Sequence, residues 1–178
     1  MALKPTIYKF TINLSDTNRH HYDTLNLTVA QHPSENPQRM MARVMAYCLN
    51  AQESLLFTKG LSEPDVPDIW QRTLDDQLEL WIDVGEPAVE RIKKASRLAK
   101  QVKVYSFNAK SDVWWDQSRA KLAALPVSVF RFDARAISQL AELVQRTMTF
   151  SVTISGDSAY VATEAGEVEV EWLCLQER

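Results

Sequence analysis

Asp68, Asp83 and Lys94 lie within one stretch of the chain, residues 57–95. Their types suit phosphate chemistry: carboxylates hold a divalent cation through oxygen, and a lysine can contact a phosphate or position a water. Asp68 directly follows Pro67, and proline fixes φ, so the aspartate leaves a pre-set backbone. A second pair, Pro64-Asp65, lies just upstream; Pro-Asp pairs are also common loop punctuation. Ile69, Trp70 and Leu74 predict that the segment after Asp68 docks on the core, which makes Asp68 the better-held acid.

The elements that must position these groups follow from the hydrophobic pattern. Residues 77–84 read as a strand, with Leu78, Leu80, Ile82 and Val84 on one side and Glu79, Trp81 and Asp83 on the other. Asp83 stands near the strand's C-terminal end, where ligands gather in open α/β sheets. A charge marking the strand's exit into solvent explains the same residue equally well. Gly85-Glu86-Pro87 breaks the strand and starts a helix over 88–100. At about 100° per residue, Ala88, Ile92, Ala95, Leu98 and Ala99 share one arc. Arg91 and Lys94 fall on one border of it; Lys93, Arg97 and Lys100 fall on the other side. A border lysine can bend over a sheet edge, so Lys94 is the first choice for a phosphate contact. The competing reading is a basic, solvated face.

Upstream, residues 6–15 and 22–30 alternate as a β-hairpin, with His20 and His21 in its polar loop. Adjacent histidines on a turn, with no third ligand nearby, read as solvated. A helix runs from Pro37 to about Leu49, capped by Ser34 or Asn36, with one buried face of Met40, Met41, Val44, Met45 and Cys48. Glu35 stands at its start, where a carboxylate complements the helix dipole. Residues 54–58 form a short strand. Downstream, strand 101–107, a helix capped by Ser111 carrying Trp114, Trp115 and Leu122, and strand 126–132 make a parallel unit. Asp133 caps a last helix to about Gln145. Strands 147–154, 159–163 and 167–175 then form an antiparallel meander with turns at Gly156-Asp157 and Ala165-Gly166.

The chain has 178 residues, enough for a single domain over 1–178, and a net charge of -3, so nucleic acid would be bound only through a local basic patch. No apolar run suits a signal peptide or membrane span, which points to the cytoplasm and away from membranes. Cys48 and Cys174 lack metal or redox spacing and read as reduced core residues. GxSxG, HExxH and GxxxxGK motifs are absent, which leaves a hydrolase with another nucleophile without support.

The runs HPSENPQRMMARVMAY, FTKGLSEPDVPDIW, LWIDVGEPAVERIKKA and RTMTFSVTI resemble the bacterial YaeQ family, and the resemblance covers essentially the whole chain. It implies a variant of the PD-(D/E)XK nuclease-like fold. That is an α/β (α+β) architecture with a mixed central sheet flanked by helices, the restriction-endonuclease-like core, and an added antiparallel sheet, for which the hairpin and the meander are the candidates. Residue by residue, the motif's Pro-Asp matches Pro67-Asp68 and its second acid matches Asp83. Its lysine belongs at Gly85; some members place it on the next helix, where Lys94 stands in for it. Glu35 matches an acid on the first core helix. The implied site holds Mg²⁺ or Mn²⁺ on Asp68, Asp83 and Glu35, with Lys94 acting on the attacking water. Arg91, Lys93, Arg97, Arg39 and Arg43 would contact nucleic-acid phosphates. The implied function is metal-dependent phosphodiester cleavage by a monomer. The alternative is a catalytically inactive nuclease-fold protein that binds nucleic acid or protein, and Gly85 at the lysine position favours it.

Overall fold

The structure, a computed structural model, describes residues 4–178. The described residues form two compact units: residues 4–49 with 133–172, and residues 50–132 with 173–178.

In the first unit, β1 (Thr6–Asp16) and β2 (His21–Gln31) form the expected hairpin, in register from Thr6–Gln31 to Asp16–His21. The meander β8 (Thr147–Ser155), β9 (Ser158–Thr163) and β10 (Gly166–Gln176) is antiparallel, and β8 joins β1 in parallel. Hairpin and meander therefore share one sheet, but it is mixed, because β1 and β8 run parallel, where the resemblance implied an antiparallel one. Alternation places Phe10, Ile12, Leu14, Leu27, Val29, Phe150, Val152 and Ile154 in the core. Asn36 caps α1 (Pro37–Leu49) by accepting the Arg39 N–H at 2.8 Å. Every residue of α1 from Met40 to Cys48 is buried, so the expectation of one apolar face was too narrow. Helix α4 (Ala134–Glu142) is capped as expected by Asp133, which accepts from the Ala136 N–H, and it packs on α1.

The second unit carries the mixed sheet, in the order β3 (Leu55–Phe57), β4 (Ile69–Arg72), β5 (Leu78–Val84), β6 (Ala99–Ser106), β7 (Val127–Phe132). The first two pairings are antiparallel and the last two parallel. β4 was not expected as a strand: four residues, IWQR, carry too little alternation, and their extended form comes from pairing with β5. Leu74 does not dock on the core; it is fully exposed at the β4–β5 turn. Helix α2 (Val89–Leu98) is shorter than its pattern, because Ala99 already enters β6. Leu98 consequently leaves the buried arc and is 51% exposed. Ser111 begins α3 (Ser111–Leu122) without capping it, and its buried hydroxyl has no hydrogen-bond partner.

On one face of this sheet, Trp81, Val102, Val104, Val127 and Val129 form a cluster with Ile92 and Ala95 of α2 and Leu122 of α3, and Trp114 and Trp115 pack against it. β5 is covered on both sides from Leu80 to Val84, the condition that makes parallel strands read as continuous apolar runs. The tail is fastened here: the Gln176 amide donates to the carbonyls of Leu122 and Val127, each at 2.9 Å.

The cysteines differ from expectation in one respect. Cys48 is fully buried, and burial pushes its thiol up to about 12, whereas Cys174 is exposed. A thiol reagent should therefore modify Cys174 in the native protein and reach Cys48 only on unfolding. Prompt native modification of both, counted by mass spectrometry, would contradict this packing.

Candidate functional site

Asp68 and Asp83 meet because of strand register. Ile69 pairs with Ile82, so the preceding Asp68 comes opposite Asp83, and the Asp68 N–H donates to the Ile82 carbonyl at 3.1 Å. Both acids are almost fully buried. The Asp68 carboxylate accepts the Val84 N–H at 2.8 Å, which fixes it against the end of β5. Gly60 approaches from the other side at φ +53°, where an added Cβ would lie 3.2 Å from the Asp68 Oδ1. Thr58 holds the loop, its hydroxyl donating to the Pro67 carbonyl and its N–H to the Asp68 carbonyl.

Asp83 does not mark an exit into solvent. It lies on the Trp81 face of β5, under α2. Arg91, in the first turns of α2, grips it with a guanidinium fork: Nε donates to Oδ2 at 2.9 Å and Nη2 to Oδ1 at 3.1 Å. The same guanidinium donates to the carbonyls of Pro64 and Val66 and lies 5.8 Å from the Trp81 ring centroid. Burial raises the Asp83 carboxyl above the ordinary carboxylate range; the Arg91 hydrogen bond and charge oppose this, and the like charge of Asp68 adds to it.

Lys94, chosen from the helical face, is well exposed and pairs with exposed Asp65 at 3.6 Å. Of the two cations on that border of the helix, Arg91 and not Lys94 bonds Asp83. The first turns of a helix that follows a strand lie nearest that strand's C-terminal end, and the planar guanidinium matches both carboxylate oxygens.

Glu35 belongs to the first unit and is enclosed there. Its oxygens accept from Arg39 at 2.6 Å and from Arg43 at 2.8 and 2.6 Å, and Arg43 also donates to the Ala30 carbonyl. Arg43 is 6% exposed, so these arginines act on Glu35, and Arg43 is not presented to a phosphate backbone. The i,i+4 spacing of Glu35 and Arg39 was the available signal. Lys93 and Arg97 are exposed on α2.

Sequence reasoning also passed over Glu86. Gly85, at φ +116°, turns the chain after β5, and one carboxylate oxygen of Glu86 is buried without a hydrogen-bond partner. Its order, an acid three residues after Asp83 across a glycine turn, was visible in the sequence. Among the described residues, no group of three or more His, Cys, Asp or Glu side chains is placed to hold a metal ion. The acids expected as Mg²⁺ or Mn²⁺ ligands fit that role poorly as arranged. Both Asp83 oxygens face Arg91, Asp68 is bonded to backbone, and Glu35 is enclosed by arginines.

A two-unit α/β protein with a mixed sheet, a buried acidic pair under a basic helix and an added hairpin–meander sheet is the class these observations define. The chain belongs to the YaeQ family: the family model described as YaeQ protein matches residues 1–172. It is 37% identical to "Uncharacterized protein YaeQ" of Salmonella typhi and 36% identical to that of Escherichia coli (strain K12), with 99% of each chain covered. Two crystal structures resemble it closely, each at 31% sequence identity. For the YaeQ protein of Xanthomonas axonopodis pv. citri the TM-score is 0.95, over 98% of this chain and 99% of that one. For the Pseudomonas syringae protein it is 0.93, over 98% and 97%.

Gly85→Lys, which places a lysine where the resemblance implied one, should destabilise the protein by about 1–3 kcal/mol. The cause is backbone conformation: a Cβ there meets only the Phe107 ring, at 4.0 Å, but φ is +116°. Denaturant unfolding measures the loss; an unchanged midpoint would show that the turn tolerates side chains.

The Asp83 carboxyl should titrate above the ordinary range, and further above it in Arg91→Ala, as read by carboxyl NMR. Because its folded value exceeds its unfolded one, its contribution to stability is present at acid pH and is lost as the pH rises through the folded value. In Asp83→Asn this component of the pH–stability profile should disappear.

Proposed function

We propose that this chain is a nucleic-acid-binding protein on a nuclease-like core, with its acidic pair held as a structural clamp. The observation that carries this reading is the Arg91 fork on Asp83: the carboxylate best placed for catalysis is already neutralised and hydrogen-bonded. The arrangement of Pro67-Asp68 before β4 and Asp83 at the C-terminal end of β5, in a mixed sheet flanked by helices, supports a PD-(D/E)XK relationship. Gly85 at the lysine position supports a binding role in place of catalysis. The nucleic-acid assignment rests on α2. Its outer face exposes Lys93, Lys94 and Arg97, a local basic patch on a chain of net charge -3.

One observation favours cleavage instead. Glu86 has a buried, unpartnered carboxylate oxygen close in sequence to Asp83, an acceptor that a cation would satisfy. That reading requires Arg91 to release Asp83.

Fluorescence anisotropy with labelled single- and double-stranded DNA and RNA tests the proposal. Lys93→Glu with Lys94→Glu should weaken binding by at least tenfold and flatten its salt dependence, while Asp83→Ala, provided it folds, retains binding. Absence of binding to every oligonucleotide would reject the reading. Mg²⁺- or Mn²⁺-dependent cleavage that disappears in Asp83→Ala would replace it with the catalytic one.

A further inference from the structure

The second unit has a depression of about 420 Å³ at the edge where β5 and β6 begin, the end of the strands away from Asp83. Arg72 of β4, Arg97 of α2 and Lys100 of β6 line it, with Asp76 as its one acid. Arg97 stands in the last turn of α2, where the helix dipole already favours a cation. Arg72 and Lys100 arrive from other elements, so chain geometry alone does not account for three cations facing one hollow. Their existing partners are weak or peripheral. Arg72 reaches Asp76 only at 3.9 Å, Lys100 is 2.9 Å from Glu79 outside the hollow, and Arg97 has no ion pair among the described residues. Arg72 is nevertheless set in place, its guanidinium 4.9 Å from the Trp70 ring centroid. Leu98, half exposed, supplies an apolar wall beside the cations.

We propose that this hollow is a phosphate-binding notch that anchors a nucleic-acid strand at one end of α2. The inference rests on the nucleic-acid reading and extends it to a second contact on the same surface. Arg97 has no carboxylate partner among the described residues and Arg72 only a distant one, so a phosphodiester would be met chiefly by these two guanidinium groups while its sugar covers Leu98. Lys93 and Lys94 lead along α2 to Arg97, making one track. From Lys93 to Arg97 the track covers four residues of helix, about 6 Å at about 1.5 Å each, which is on the order of two nucleotides at about 3.4 Å per step. Oligonucleotides too short to reach from Lys93 into the notch should bind much more weakly than those that span it.

The test uses amide NMR on the full chain, titrated separately with inorganic pyrophosphate and with a ten-nucleotide oligonucleotide. Arg72→Glu, Arg97→Glu and the double variant are compared; these side chains are exposed, so the variants should fold, with thermal midpoints lowered only slightly by the anion at the α2 C-terminus. Pyrophosphate should shift the amides of Leu78 and of residues 97–100, and the double variant should abolish this and weaken oligonucleotide binding at least tenfold. If pyrophosphate leaves those amides unmoved, the notch is rejected whatever the oligonucleotide does. If the oligonucleotide binds and is insensitive to the double variant, the notch is rejected and the α2 reading survives. If pyrophosphate docks there but no oligonucleotide binds, the nucleic-acid assignment of both falls.

Discussion

Arg91 ties together three segments that are distant in sequence. Asp83 is a carboxylate with a side chain only 5% exposed, and removing such a charge from water costs several kcal/mol. Arg91 offsets that cost with two charge-assisted hydrogen bonds. Its remaining N–H groups reach the Pro64 and Val66 carbonyls, so the loop before β4, the end of β5 and the start of α2 become one structure. Asp68 depends on that loop for its position, and the Trp81 ring packs beneath the guanidinium. The acidic pair and the basic outer face of α2 are therefore two consequences of one helix seated on one carboxylate.

Local signals explain what the sequence made legible. Asn36 and Asp133 cap their helices because a short acceptor before an apolar-periodic run has few other uses. The hairpin, the meander and the strand ending at Val84 follow from period-two alternation. Leu74 and Leu98 failed for one shared reason: each stands at or just beyond the end of an element, and periodicity does not say where an element stops. Leu74 lies in a turn, and Leu98 precedes a backbone that turns extended at Ala99. β4 was invisible because its extended form is set by β5, which is tertiary information.

For the site, residue type was legible and pairing was not. Facing arguments placed Arg91 and Lys94 on one border of α2, but which of the two faces the carboxylate is set by how the helix sits on β5. Glu35 illustrates the same point. Its position at the helix start was evident, yet Arg43, eight residues on, closes over it through two helical turns that spacing alone did not single out. Three arginines first read as phosphate contacts, Arg39, Arg43 and Arg91, instead neutralise buried acids.

That redistribution changes the electrostatic argument for function. With those arginines engaged internally, the cations that α2 still offers a polyanion are Lys93, Lys94 and Arg97, joined by Arg72 and Lys100 at the strand edge. A chain of net charge -3 attracts nucleic acid only through such a local field, whose reach at physiological salt is about 8 Å. In the proposed reading, contact is therefore close and along α2, with the acidic pair shielded beneath the helix. An acidic pair left open to solvent would repel phosphates, so the Arg91 fork on Asp83 steadies the fold and, in the proposed reading, also removes an obstacle to binding. Lysine at position 91 could not provide this equally: a single ammonium cannot bond both Asp83 oxygens and two loop carbonyls in one plane.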